Sequence, residues 1–131
     1  MDVITSVSGG SYTAAYYGLF GNRIFSDFGS RFLYRDWQGE LLGLLARPDN
    51  LLSIASPEYN RSDLVTDYLN HTLFAGKTFA DLSRRALPFV ILHASAINTS
   101  IPFSCIQQQL DFLLSDFHTY PVSSPMLALL A

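Results

Sequence analysis

The sequence predicts an α/β fold with a sheet of few strands and a mainly helical insert. Residues 3–7 (VITSV) form a β-branched run, and a serine, two glycines and a helical pattern follow at once. Residues 89–97 (FVILHASAI) form a continuous apolar run, which is typical of an interior strand in a parallel or mixed sheet. Between the two runs, apolar side chains recur at helical spacing. A third, edge strand is expected over residues 101–106, where Pro102 suits an edge position.

The 131-residue chain has the length of one domain. We expect four segments in it: strand, turn and helix over 3–20, a helical insert over 22–86, strands and a helix over 88–117, and a C-terminal helical start over 121–131.

Helix signals divide the insert further. The spacing predicts an amphipathic helix over residues 23–46 with a break near Asp36, a turn over 47–50 and one or two helical turns over 51–55. It also predicts a helix from an N-cap at Ser62 to about Phe74, and a short helix capped by Thr78.

Charge and hydropathy exclude some function classes. The net charge is −3 and no basic cluster occurs, so nucleic-acid binding has no electrostatic footprint. The longest apolar runs, such as residues 87–92, fall well short of the about 20 residues that a membrane-spanning helix needs. The N-terminus lacks the pattern of a signal peptide. The expected location is therefore cytoplasmic or membrane-peripheral, although the sequence does not name the compartment.

The residues Ser6-Val7-Ser8-Gly9-Gly10 match the small-x-Ser-x-Gly pattern of a nucleophile elbow. In such a turn the central serine, here Ser8, is held in a strained conformation with its hydroxyl exposed. Small residues two positions before and after it, Ser6 and Gly10, avoid a collision, and the Gly9 N–H can stabilise an oxyanion. The same pattern also fits a capped helix start or a turn whose backbone N–H groups bind a phosphate. The pattern alone leaves these three interpretations open.

The chain also resembles a known family over residues 2 to about 124. The stretches DVITSVSGGSYTAAYYGLFG, NRSDLVTDYLNHTLFAGKTFADL and PFVILHASAINTSIPFSCIQQQLDFLLSDFHTYPVS are similar, in the same order, to segments of bacterial patatin-like phospholipases. The third stretch contains an Asn-Thr-Ser turn and the run Asp-x-x-x-Tyr-Pro-Val-Ser from Asp116 to Ser123.

The resemblance implies a partial three-layer patatin-like core and a serine hydrolase of lipid acyl esters. Family members use a Ser–Asp dyad: Ser8 matches the nucleophile and Gly9 the N–H donor of the elbow. The implied substrate is a lipid or phospholipid, met at a peripheral membrane surface, and no cofactor is implied.

Two parts of the family pattern have no counterpart here. The sequence contains no Asp-Gly pair, so the dyad aspartate is not present in the chain, and no glycine-rich oxyanion loop precedes the first strand. We therefore expect an internal fragment or a degenerate product, weakly active or inactive alone, with unpaired sheet edges that favour self-association. The alternative is a non-catalytic remnant or an anion-binding module that uses the Ser-Gly-Gly turn.

Other candidate groups carry weaker signals. His71, His93 and His118 could each act as a base; His93 lies in the most apolar strand, which favours a structural role, and His71 is expected to be exposed. Asp116 is interpreted as a helix-end or loop-ordering residue. The pair Asp67–His71 is not enough for a metal site, and no metal is expected. An aromatic stripe could face lipid or pack in the core: Phe25, Phe28, Phe32, Tyr34 and Trp37.

Overall fold

The computed structural model describes residues 3–54, 61–84, 88–95, 102–105, 119 and 121–123. Three strands and five α-helices occur in this part of the chain, together with a 3-10 turn at Gly21–Arg23 and a π-helix at Ile24–Leu33. The strands are β1 (Val3–Val7), β2 (Phe89–Ser95) and β3 (Pro102–Cys105). The α-helices are α1 (Gly10–Phe20), α2 (Trp37–Leu45), α3 (Pro48–Ile54), α4 (Arg61–Thr72) and α5 (Phe79–Ser83).

The three strands form one sheet in the order β1-β2-β3. β1 pairs with β2 in parallel, from Val3 opposite Phe89 to Val7 opposite His93. β2 pairs with β3 in antiparallel fashion, with His93 opposite Ser104. Helices therefore accompany a mixed sheet that contains a parallel pair, which confirms the predicted α/β class. Among the strands that the structure describes, β2 is interior and β3 lies at an edge, as predicted.

Helix α1 covers one face of the sheet at close range. Its buried residues are mostly small, among them Ser11, Ala15 and Gly18, and they lie over Val90 and Leu92 of β2. A Cβ at Gly18 would come within 2.8 Å of a Val90 methyl group and within 2.6 Å of a Leu82 methyl group. The absence of a side chain at Gly18 is therefore what allows α1 to approach this closely.

The insert differs from the single helix expected over residues 23–46. A π-helix occupies its first half, the chain breaks at residues 34–36, and α2 begins at Trp37. The break near Asp36 is confirmed, because the Asp36 carboxylate accepts a hydrogen bond from the Gly39 N–H (3.0 Å) and so caps α2. The turn predicted over 47–50 is wrong: α3 begins at Pro48, whose fixed φ suits the first helical position.

The aromatic stripe divides between the core and the surface. Phe28 is buried; its ring stacks on Phe32 (centroid distance 5.2 Å) and makes a tilted contact with Tyr16 (5.0 Å). Trp37 extends the cluster to α4 through an edge contact with Tyr68. Phe25 and Tyr34, in contrast, are 85% and 86% exposed. The core interpretation is therefore confirmed for Phe28 and the rings that it contacts, and contact of Phe25 and Tyr34 with lipid stays a prediction.

The remaining boundaries agree in part with expectation. Thr78 begins α5 as predicted, and its N–H donates to the Asp81 carboxylate (3.1 Å) in a capping box. α4 begins at Arg61, so Ser62 lies inside the helix and is not its N-cap. The helix predicted within residues 88–117 lies outside the described residues. Of the helical start predicted over 121–131, only residues 121–123 are described, and they form a bridge to Thr78 and a turn, not a helix.

Replacement of Gly18 by alanine is expected to lower the free energy of unfolding. Overpacking against Val90 and Leu82 destabilises the fold by about 1–3 kcal/mol, and the higher helix propensity of alanine offsets about 1 kcal/mol of this loss. Gly43→Ala is the matched control, because a Cβ at this helical glycine of α2 meets no atom within 4 Å. Chemical denaturation should give a lower free energy of unfolding for Gly18→Ala, and a higher one for Gly43→Ala, than for the unmodified chain. Equal shifts in both variants would contradict the close approach of α1.

Replacement of Tyr16 by phenylalanine tests the polar contact at the edge of the core. The buried Tyr16 hydroxyl donates to Asp27 Oδ1 (2.8 Å), and this bond, followed by Arg23 and Arg31, lowers the pKa of the Asp27 carboxyl from its usual 3.8. A carboxyl with a lowered folded-state pKa stabilises the fold above its unfolded pKa, and this stabilisation is lost as the pH falls. Tyr16→Phe should therefore have a lower free energy of unfolding than the unmodified chain at pH 7, and this difference should shrink below pH 3.8. Tyr34→Phe, which changes an exposed ring, should have the same free energy of unfolding as the unmodified chain at both pH values.

Candidate active site

The turn between β1 and α1 consists of Ser8 and Gly9. Ser8 has φ = +54°, a left-handed conformation that among the described residues other than glycine only Ala75 shares. This conformation costs a residue with a Cβ about 1–2 kcal/mol. A strained serine between a strand and a helix is the backbone signature of a nucleophile elbow, and strain of this kind is concentrated at functional sites.

The Ser8 side chain is exposed at the end of the sheet. Its carbonyl oxygen accepts a hydrogen bond from the Ser11 N–H (2.9 Å), which closes the turn. Within the described part of the chain, no hydrogen bond is formed by the Ser8 hydroxyl, so this group is open to a ligand.

Gly9 and Gly10 begin the helix with open space around them. Gly9 adopts helical angles (φ −54°, ψ −29°) as the N-cap of α1, and its N–H has no acceptor among the described residues. The N-terminal end of α1 adds a positive potential at this point. A Cβ at either glycine would meet no atom within 4 Å. The collision expected at position 10 is therefore absent, since the turn at Ser8 carries Gly10 clear of the strand.

Ser6 lies beneath the first turn of α1. Its hydroxyl is 3.5 Å from the hydroxyl of Ser11, which is buried. A larger side chain at position 6 would press on this turn, so the requirement for a small residue before the serine has a visible cause here.

A cleft of about 570 Å³ runs along β1 beside the turn. Its walls come from β1, from α1 and from the start of the π-helix, and they are mainly apolar. Val7 and Gly10, which flank the turn, both line the cleft, so one end of it lies next to the turn, while Ser8 and Gly9 are not among its lining residues. An apolar cleft with few polar groups suits an apolar ligand such as an acyl chain. The lining residues are Ile4, Thr5, Ser6, Val7, Gly10, Thr13, Ala14, Tyr17, Ile24 and Phe25.

The structure places His93 next to this turn, which the sequence could not show. His93 is the register partner of Val7, the residue before Ser8. Its Nδ1 lies 2.9 Å from the Ser104 hydroxyl on β3. His93 lies near the turn because β1 and β2 pair in parallel, which brings their C-terminal ends to the same edge of the sheet.

Among the other candidate bases, only His71 lies in the described part of the chain, and it is not brought to the turn. His71 is exposed on α4, as expected, and its Nδ1 lies 2.7 Å from the Asp67 carbonyl oxygen rather than from the carboxylate. His118 and Asp116 lie outside the described residues. In the described part of the chain, no group of three or more His, Cys, Asp or Glu is placed to hold a metal ion. No helix described here is long and apolar enough to cross a membrane.

The chain was compared with protein-family models, with curated proteins and with solved structures, and no match was found in any of the three comparisons.

Replacement of Ser8 by glycine is expected to raise the free energy of unfolding by about 0.5–1 kcal/mol, because glycine adopts a positive φ without strain. Ser8→Ala retains the Cβ and should give no such gain. Ala75→Gly is the matched control, since Ala75 has φ = +52° at the end of α4. Thermal or chemical denaturation of the three variants measures the effect. A loss of stability in Ser8→Gly alone would contradict the strained turn.

Proposed function

We propose that the protein is a serine hydrolase of lipid acyl esters, with Ser8 as its nucleophile. The observation that carries this proposal is the left-handed backbone of Ser8 between a strand and a helix. A helix start capped by a serine side chain does not need this conformation, because such a cap residue is typically extended, whereas the N-cap here is Gly9 with helical angles and no side chain caps the helix. The patatin-like core that the sequence resembles belongs to the same proposal.

The chemistry follows from the turn. The Ser8 oxygen attacks the acyl carbonyl carbon, and the negative charge on the carbonyl oxygen is met by the Gly9 N–H and by the N-terminal end of α1. The alcohol leaves, and water then releases the acyl group from Ser8. In the intact domain that the resemblance implies, an aspartate accepts the serine proton. Because the sequence has no Asp-Gly motif, we propose slow turnover for this chain.

The cleft along β1 supports the choice of substrate. One end of it lies next to the turn and its lining is apolar, so an acyl chain can lie in it while its ester reaches the turn. Phe25 lines the cleft and is 85% exposed, and an exposed aromatic ring at this point supports the proposal of a lipid substrate. The proposed reaction needs no cofactor.

Labelling with a fluorophosphonate probe tests the nucleophile, because only an activated serine reacts. The unmodified chain should be labelled at Ser8, with slow turnover of p-nitrophenyl esters that increases from acetate to octanoate. Ser8→Ala should abolish both signals. Ser30→Ala is the control: this exposed serine bonds to the Asp27 carbonyl, and its loss should change neither signal.

The alternative function predicts a different result. If the Ser-Gly-Gly turn only binds an anion, inorganic phosphate should bind to the unmodified chain and no probe should react with Ser8. That outcome would refute the hydrolase. Labelling that persists in Ser8→Ala would refute it as well.

A further inference from the structure

We propose that His93 is the proton acceptor for Ser8 and that Ser104 orients its ring. This inference rests on the proposed function, since it takes Ser8 as the nucleophile. It assigns the base to a residue of the sheet itself, in a chain whose sequence lacks the Asp-Gly motif.

The register of the sheet brings the two residues together. His93 is paired with Val7 across the parallel β1–β2 ladder, and Ser8 is the next residue after Val7. Neighbouring strands are about 4.8 Å apart and consecutive Cα atoms are 3.8 Å apart, so the Cα atoms of Ser8 and His93 are no more than about 9 Å apart. A serine hydroxyl and an imidazole ring can span that distance between them.

The ring of His93 is already held by one nitrogen. Its Nδ1 lies 2.9 Å from the hydroxyl of Ser104, its register partner on β3. When Nδ1–H donates to this hydroxyl, the tautomer leaves a lone pair on Nε2. Among the described residues, Nε2 has no hydrogen-bond partner. A ring fixed through Nδ1 with a free Nε2 is the arrangement that a serine hydrolase requires of its base.

The faces of the sheet are compatible with this arrangement. Val90 and Leu92 point into the core beneath α1, so the alternation of the strand puts His93 on the opposite face, together with Val7. Val7 is 57% exposed, which shows that this side of the strand end is accessible. Ser8 has left the strand geometry at φ = +54°, so strand alternation no longer holds its hydroxyl on the α1 face.

Within the described strands and α1, no other group can take this role, and Asp27 of the neighbouring π-helix is held by Tyr16, Arg23 and Arg31. The sequences of β1, α1, β2 and β3 contain no aspartate or glutamate. His93 carries the only imidazole in these four elements, and histidine is the side chain that most often serves as a general base. The neutral hydroxyl and thiol groups in the same elements are too weakly basic to accept the serine proton.

The proton balance of the reaction is complete. As the bond between Ser8 Oγ and the acyl carbon forms, the Oγ proton moves to His93 Nε2 and the carbonyl electron pair moves to the oxygen. The resulting imidazolium keeps its Nδ1–H on Ser104. As the ester C–O bond breaks, Nε2 returns the proton to the leaving alcohol oxygen. Water repeats the same two transfers to release the acid and to restore Ser8.

The rate of fluorophosphonate labelling at Ser8 tests the inference. His93→Ala should slow labelling by about 100-fold or more, the usual contribution of a general base. Added imidazole should restore the rate in His93→Ala in proportion to its concentration and should leave the unmodified chain unchanged. His93→Asn, which can still bond to Ser104 but cannot accept the proton, should be as slow as His93→Ala with an unchanged melting temperature. Ser104→Ala should cause a smaller fall, and His71→Ala no change.

The outcomes separate the two proposals. If the unmodified chain is labelled at Ser8 and both His93 variants react at its rate, the role of His93 is refuted while the nucleophile stands. If the unmodified chain is not labelled, the nucleophile and this inference are refuted together. A third outcome is that His93→Asn folds and reacts slowly, but added imidazole does not restore the rate of His93→Ala. His93 would then only shape the end of the strand, and its role as proton acceptor would be refuted.

Discussion

The structure depends on the contact between α1 and the β1–β2 pair. A helix that begins two residues after its strand must turn back sharply and lie directly on the sheet. The turn is made by Ser8 at a positive φ, and the close contact is made by residues with little or no side chain, above all Gly18. The strain at Ser8 is tolerated because the packing below it, with Leu92 and Ala15 almost fully buried, fixes the direction of α1.

The insert is attached to this core through aromatic rings. Tyr16 of α1 makes a tilted ring contact with Phe28 of the π-helix, and the series continues through Phe32 to Trp37. Ring pairs of this kind contribute about 0.5–1.5 kcal/mol each beyond the area that they bury. The π-helix leaves Phe25 outside the cluster and beside the cleft. One short segment therefore supplies both a core contact and a wall of the candidate site.

Much of the sheet and of the candidate site could be predicted from local sequence. The β-branched run before Ser8 and the apolar run from Phe89 are strong local signals, and both strands were found where expected. The π-helix could not be predicted, because apolar residues at a spacing of three and four predict an ordinary α-helix and the sequence carries no signal for the wider turn. His93 was interpreted as structural because it lies in the most apolar strand, and the register that places it opposite Val7 cannot be read from the sequence.

Register also explains why a base on a strand would be positioned without a dedicated loop. The parallel ladder holds Val7 and His93 opposite each other through backbone hydrogen bonds, and Ser104 occupies the matching position on β3. A slip of one residue between β1 and β2 would bring Leu92 or Ala94 opposite Val7 and would turn His93 to the other face relative to β1. Such a slip would also remove Leu92, which is 1% exposed, from the core beneath α1. The same apolar packing that stabilises the fold therefore fixes the relative position of the proposed nucleophile and its base.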